Sequence, residues 1–299
     1  MKREGVMTKQ KASVQGVRVT VLTEDYAGYD SPLWGSHGIS LLLEIHAPDG
    51  PRHILFDVSQ SSEAILHNME LLGISPKCIE AVFLSHCHYD HTGGLAGMVK
   101  AIGKEDLPLI GHPTLFRPHY IVEPMIRYIG VPSESHPEQL GDLARPVLVG
   151  SPFSLMPGVL STGEVERAVS FEKSLTLQTF TEEKGELVPD EIRDDMSVVV
   201  RIEKKGIAVI TGCSHAGIVN IVHQAVRLTG ENRVCAVIGG LHLIDAETDR
   251  VARTAEALKE LQVEDLYVGH CTGLRGEAHL LGLFKDRLHK LYSGMTIDL

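Results

Sequence analysis

Short apolar runs alternate with amphipathic stretches along most of this chain, a pattern that builds layered α/β folds. "VRVTVLT" (17–23) and "GISLLLEIHA" (38–47) read as strands, and "HILFDVS" (53–59) is a third that closes on Asp57. The period then lengthens. In "SSEAILHNMELLGI", Ile65, Met69 and Leu72 recur at helical spacing behind a serine cap, and Gly73 stops the helix. "AVFLSH" (81–86) is a short apolar strand that runs out into a loop, and "LAGMVKAIG" (95–103) is the helix after it.

From about 100 to 190 the periodicity fades into proline and charge, so irregular or elaborated structure is expected there, placed to cover a site. Order returns with "MSVVVRIEKKGIAVITGCSH" (196–215), two strands about an "EKKG" turn, followed by a helix beginning directly after His215. "VCAVIGGLHL" (234–243), a helix over 246–262, "DLYVGHCTG" (265–273), a helix over 276–291 and a last strand in "GMTIDL" (294–299) complete the pattern. In the 276–291 helix, Leu280, Leu283, Phe284, Leu288 and Leu291 form an apolar stripe that core packing explains more cheaply than self-association, and a homo-oligomer stays open. The expected layout is one domain over 17–299, elaborated at 100–190, with residues 1–16 as a flexible basic tail.

Composition narrows the function. Hydrophobic residues make up 43% and charged residues 22% of the 299, which leaves enough apolar surface for a sizeable core. Acidic residues number 39 against 28 lysines and arginines, and the net charge of -11 argues against a broad grip on nucleic acid and for a small-molecule substrate. Five scattered cysteines and an N-terminus without an apolar core lead to the expectation of a cytoplasmic protein with reduced thiols. No apolar run approaches the roughly 18 to 20 residues that span a bilayer, so no membrane insertion is expected.

The densest chemistry lies in "LSHCHYDHTGG" (84–94), where His86, His88, Asp90 and His91 fall within six residues. If the chain is extended at "HCH", His86 and His88 face one side and Cys87 the other, so one cation fits between the two rings. Asp90 and His91 follow once the chain turns at "TGG" and form a second pair. Two ligands make a weak site, so each cation must recruit from distant loops, and His215 and His270 each end a strand in the second half. Without a cation, three imidazoles and a carboxylate crowded behind a buried strand would cost stability.

"SHCHYDHTGG" resembles the H-x-H-x-D-H signature of the metallo-β-lactamase superfamily, and "TGC" and the "GH" of His270 fall in the order of its later landmarks. "HGISLLLE", "DDMSVVV", "TGCSHAGIVNIV", "GGLHL" and "GHCTG" are similar to a branch of dihydropterin-ribofuranosylaminobenzene phosphate synthases and metal-dependent hydrolases. The resemblance implies a four-layer αββα sandwich with two divalent metal ions at one edge, zinc first, with manganese, iron or magnesium as alternatives. It places His86 and His88 on the first metal, Asp90, His91 and His270 on the second, and Asp57 behind the ligands. Two departures stand out. No later histidine motif supplies the third ligand of the first metal, a role assigned to His215, and Cys213 occupies the place of a bridging aspartate, either as a thiolate ligand or as a small packing residue.

Such a site lowers the pKa of water from ~15.7 toward about 7, so hydrolysis of a small, phosphate-containing substrate is the expected activity. Asp90 is read as managing the water proton and His242 as a substrate contact or proton carrier. Gly217, at the start of a helix, would aim backbone donors at an anionic group, and Gly239 and Gly240 would allow close backbone approach. The rival is a transferase that joins a dihydropterin-methyl diphosphate to an aryl ribofuranosyl phosphate and releases diphosphate; a redox or non-catalytic metal protein ranks lower. Asp194 and Asp195, in "RDDMS", are read either as facing the site or, as is commoner for acidic residues leading into an edge strand, as simply solvated.

Overall fold

Burial along the strands has period two, but both faces are buried. In the strand Ser40–Ala47, Leu41, Leu43 and Ile45 point into one core while Leu42 points into another. The same split separates Phe56 from Leu55, Phe83 from Val82, Val200 from Val199, and Ile210 from Val209. Strands that must be apolar on both faces belong to sheets covered on both sides, which explains the near-continuous hydrophobic runs.

The computed structural model describes residues 12–172 and 178–299. One seven-stranded sheet runs in the order Thr296–Asp298, Gly16–Thr23, Ser40–Ala47, Gly50–Phe56, Ala81–Phe83, Leu107–Gly111, Ala144–Leu148. A second runs Leu288–Lys290, Asp265–Val268, Val234–Gly239, Gly206–Ile210, Val198–Ile202, Val159–Ser161, Phe153–Met156. Their facing surfaces share one core containing Val19, Leu43, Phe56 and Phe83 from the first sheet and Val198, Val200, Ile210 and Ile238 from the second. The helices Ser62–Leu71 and Leu95–Ile102 cover the outside of the first sheet through Ile65, Met69, Met98 and Val99. Ile218–Thr229, Thr248–Glu260 and Gly273–Phe284 cover the second through Ile221, Leu258, Leu280 and Phe284. Three cores between four layers make the expected αββα sandwich.

Within each sheet the central strands run parallel: Gly50–Phe56 through Ala144–Leu148 in one, Gly206–Ile210 through Leu288–Lys290 in the other. Their carboxyl ends lead into the loops that carry Asp57, His86 to His91, Cys213 to His215, His242 and His270.

Several elements differ from the sequence pattern. Among its described residues the 100–190 region contributes eight short strands: Leu107–Gly111 and Ala144–Leu148 complete one end of the first large sheet, Val159–Ser161 and Phe153–Met156 one end of the second, and His119–Ile121, Arg127–Tyr128, Thr179–Glu183 and Glu186–Asp190 form a separate four-stranded sheet. Strands this short and proline-interrupted carry too little alternation to be read in advance. The helix expected to reach 291 stops at Phe284, where Lys285 turns left-handed (φ 52°), and Leu288–Lys290 pairs parallel to Asp265–Val268. The apolar stripe therefore serves the cores: Leu280, Phe284 and Leu291 are fully buried. Residues 1–11 of the expected tail lie outside the described residues, whereas Val14 is buried and its amide donates to the Arg201 carbonyl, so pairing begins ahead of residue 17. Among the described residues no helix is long and apolar enough to cross a membrane.

Phe56 and Phe83 stack with ring centroids 5.5 Å apart in the inter-sheet core. Phe56→Ala should destabilise the fold by about 3–5 kcal/mol, measured as a lower denaturation midpoint at unchanged slope.

Candidate metal centre

The loop after Ala81–Phe83 is fixed by one carboxylate. Asp57, fully buried, accepts hydrogen bonds from the Ser85 amide to Oδ1 and from the Ser85 hydroxyl to Oδ2, both 2.7 Å. Its Oδ2 also lies 2.7 Å from His91 Nδ1. A hydroxyl has one proton, and Ser85 gives it to Asp57, so its 2.9 Å contact with His86 Nδ1 makes that nitrogen the donor. Both imidazoles then carry their protons on Nδ1 and turn bare Nε2 atoms inward. His91 Nε2 lies 3.1 Å from Cys213 Sγ, and His86 Nε2 lies 3.1 Å from His88 Nδ1.

Distant loops close on these nitrogens. Ligand atoms of Asp90, His91, Cys213 and His270 all lie within 4.8 Å of one another, as do those of His86, Cys213 and His215. The His215 ring lies 4.7 Å from that of His86 and 4.8 Å from that of His88, centroid to centroid. Asp90, His91 and His270 of the expected second set thus come together, His86 and His215 of the first come together beside them, and Cys213 belongs to both groups; His88 belongs to neither and touches the first through its ring contacts with His86 and His215. His242 packs with its ring centroid 4.2 Å from that of His215.

The donor set fits divalent cations. His88 Nε2 and both nitrogens of His215 and of His242 are buried without a hydrogen-bond partner, an expensive arrangement unless something else binds them. Burial, with neighbouring imidazoles adding to it, pushes His86 and His215 well below the ordinary imidazole pKa, and burial lowers His88 to about 3. These rings are neutral at physiological pH, the form that ligates metal. Burial works against the charge on Asp90, but His91 and His270 outweigh it and hold the carboxyl far below its usual range. Burial raises Cys213 well above the usual thiol value. A thiolate there needs a cation beside it.

A cleft of about 210 Å3 opens over this cluster, lined among others by His88, Asp90, His215, His242 and His270. Hollows of about 460 and 780 Å3 lie elsewhere, and neither gathers histidines. The cleft also presents residues that the sequence pattern did not single out: Asp25, His37, Tyr89, Arg127 and Cys271. Asp25 Oδ2 lies 2.7 Å from His270 Nδ1 and Oδ1 lies 2.9 Å from His37 Nδ1, so it orients both rings as Asp57 orients His91. Asp25 lies two residues past the end of the first long strand, as Asp57 lies one past the end of the third, and that signal was available in the sequence. Arg127 comes from the four-stranded sheet, whose place over the cleft no local pattern announces.

The glycines and acidic residues fall differently from expectation. A methyl group on Gly217 would sit 2.3 Å from Glu172 Oε2, and the Glu172 carboxylate accepts from the amides of Val219 and Asn220. The helix N-terminus is thereby capped from within the protein and turned away from any anion in the cleft. Gly239 is needed because a side chain would strike the Thr211 carbonyl at 2.0 Å, and the Gly240 amide donates to the Gly212 carbonyl, so both serve packing between strand ends. Asp194 and Asp195 are buried, not solvated: the Cys87 amide donates to Asp194 Oδ2 and the Ala216 amide to Asp195 Oδ2, each at 2.7 Å. The strand they precede is central in its sheet, which removes them from water.

Comparison with known proteins places this arrangement among relatives. Residues 42–153 match the family model described as the metallo-beta-lactamase superfamily. The 7,8-dihydropterin-6-methyl-4-(beta-D-ribofuranosyl)-aminobenzene-5'-phosphate synthase of Methanocaldococcus jannaschii is 40% identical over 287 residues, 95% of this chain and 97% of its own length. An uncharacterized protein of the same organism is 32% identical over 81% of this chain and 86% of its own. A solved structure described as a metal-dependent hydrolase of the beta-lactamase superfamily superposes with a TM-score of 0.80 at 28% identity, covering 95% of this chain and 99% of that one.

Asp57→Asn should weaken metal affinity about 10- to 100-fold, read by chelator competition, because His91 loses the carboxylate that holds its ring. Burial raises Asp195 to about 7, with the Ala216 amide opposing. Its folded pKa exceeds its unfolded value, so the stability it contributes is complete at acid pH and is lost as pH rises through about 7. Metal-free wild type should therefore lose stability relative to Asp195→Asn between about pH 4 and about pH 7 and no further above it, measured by chemical denaturation. Parallel curves would exclude a proton on Asp195.

Proposed function

Because this chain belongs to the metallo-beta-lactamase superfamily, we propose that it is a metal-dependent hydrolase of a small, phosphate-containing substrate. The observation that carries this reading is the convergence of buried, unpartnered imidazole nitrogens on one open cleft. His86, His88 and His215 would hold one divalent cation, and Asp90, His91 and His270 the other, with Cys213 between them and zinc the best match to a nitrogen, sulfur and oxygen donor set. Such cations supply Lewis acidity and a lowered pKa for water.

The chain's own residues do the rest. Asp57 and Asp25 keep His91 and His270 in one tautomer and one orientation. Asp90 Oδ2, which is ionised and 3.2 Å from His270 Nε2, is placed to accept a proton from water. His242, whose two ring nitrogens have no hydrogen-bond partner, would pass a proton to a leaving oxygen. The guanidinium of Arg127, on the wall of the cleft, suits a phosphate, and Ile121, Ile129 and Ile244 give the same wall an apolar part for an organic substituent.

A second reading is favoured by the near full-length 40% identity to the Methanocaldococcus jannaschii synthase: transfer of a dihydropterin-methyl group from its diphosphate to an aryl ribofuranosyl phosphate. Both readings need a cleft that holds a phosphate oxygen as it leaves. Measuring diphosphate and phosphate release separates them. Hydrolysis gives turnover of a single phosphodiester or diphosphate substrate in water, whereas the synthase releases diphosphate only when both substrates are present. Turnover in neither assay by metal-loaded protein would overturn both.

A further inference from the structure

On the far side of the ligand loop lies a second cluster that the cleft does not use. Cys87 points away from His86 and His88, and its Sγ, an imidazole nitrogen of His119 and a carboxylate oxygen of Asp194 lie within 4.8 Å of one another. All three residues are fully or almost fully buried, at 0, 0 and 1% exposure. His119 Nε2 and Asp194 Oδ1 have no hydrogen-bond partner. Asp190 Oδ2 stands 2.5 Å from His119 Nδ1, at ion-pair distance, the same carboxylate-behind-histidine arrangement as Asp57 with His91. The cluster adjoins the cleft, with the rings of His88 and His119 in edge contact at 6.5 Å, centroid to centroid, but it shares no residue with the ligand groups there.

Bare lone pairs on sulfur, nitrogen and oxygen converging in a dry interior are costly unless a cation binds them, and that mixture of donors suits a borderline-soft divalent ion of the zinc class. We propose that Cys87, His119 and Asp194 hold a further, structural metal ion, independent of the ions in the cleft. Its three ligands come from the ligand loop, from the strand His119–Ile121 of the small sheet, and from the segment leading into Val198–Ile202. The ion ties the small sheet, which supplies Ile121 and Arg127 to the cleft wall, to the backbone of the ligand loop. Asp194 reinforces the tie by accepting the Cys87 amide on its other oxygen.

The test uses chelator-stripped full-length protein titrated with cobalt(II) alone. In a Cys213→Ser, Cys271→Ser background, which removes the thiols of the cleft, a near-ultraviolet thiolate-to-cobalt band should persist and should vanish on adding either Cys87→Ser or His119→Gln. Absence of the band in the background, or its survival in Cys87→Ser, overturns the proposal. A second count guards against a variant that does not fold. With both cleft sites disabled by His86→Ala, His91→Ala, His215→Ala and His270→Ala in the same Cys213→Ser, Cys271→Ser background, about one equivalent of zinc per chain should remain and fall away on adding His119→Gln. No retained zinc, or zinc indifferent to His119→Gln, assigns the cluster to a buried ion pair between His119 and its two aspartates instead.

Discussion

The carboxylate of Asp57 is the constraint on which the metal cleft depends. It is fully buried, and three donors surround it: the Ser85 amide, the Ser85 hydroxyl and His91 Nδ1. Through Ser85 it also settles where the proton of His86 sits, so one group fixes both ends of the ligand loop. A carboxyl group so far from water is tolerated because its oxygens are met by donors on both sides. Its desolvation is offset by the same contacts that set the direction of the histidine lone pairs. Removing it would leave the rings in place by packing alone, with the wrong nitrogens free to face the cleft.

Orientation has a backbone component as well. Asp57, Ser214, His242 and His270 follow strand ends and take left-handed φ values of 53, 61, 45 and 48°. Left-handed backbone costs a residue with a side chain about 1–3 kcal/mol. The sharp turns bring the side chains of Asp57, His242 and His270 to the space between the sheets, while Ser214 anchors its loop by donating from Oγ to the Gly240 carbonyl. The strain is carried by the sandwich: the loops are short, and the strands feeding them are buried on both faces, so the chain has little room to relax.

What the sequence revealed follows the same division between local and distant causes. The doubly covered strands announced themselves as apolar runs, and the spacing of His86, His88, Asp90 and His91 marked the ligand loop, because both features are written within a few residues. His215 and His270 were legible as strand-end histidines. The four-stranded sheet was not, since its strands are two to five residues long and the pairing that makes it spans more than fifty positions, from His119–Ile121 to Thr179–Glu183. The burial of Asp194 and Asp195 was missed for a related reason: whether a strand lies at an edge or in the centre is decided by pairings far away in sequence. Gly217 misled because a helix N-terminus resembles an anion site until its cap is seen, and that cap, Glu172, stands 45 residues earlier in the chain.

The electrostatics of the cleft run opposite to those of the chain. The protein carries a net charge of -11, yet the cleft commits its carboxylates to histidines: Asp57 to His91, and Asp25 to His270 and His37. Asp90 is the anionic carboxylate that faces the ligand nitrogens directly, and Cys213 stays neutral until a cation is beside it. A histidine that ligates a metal gives a lone pair without charge, so two divalent ions held there would leave the site positive, with Arg127 on its wall adding to it. On the function proposed above, a metal-loaded cleft of this kind in a chain of net charge -11 would suit a compact anion better than a long polyanion.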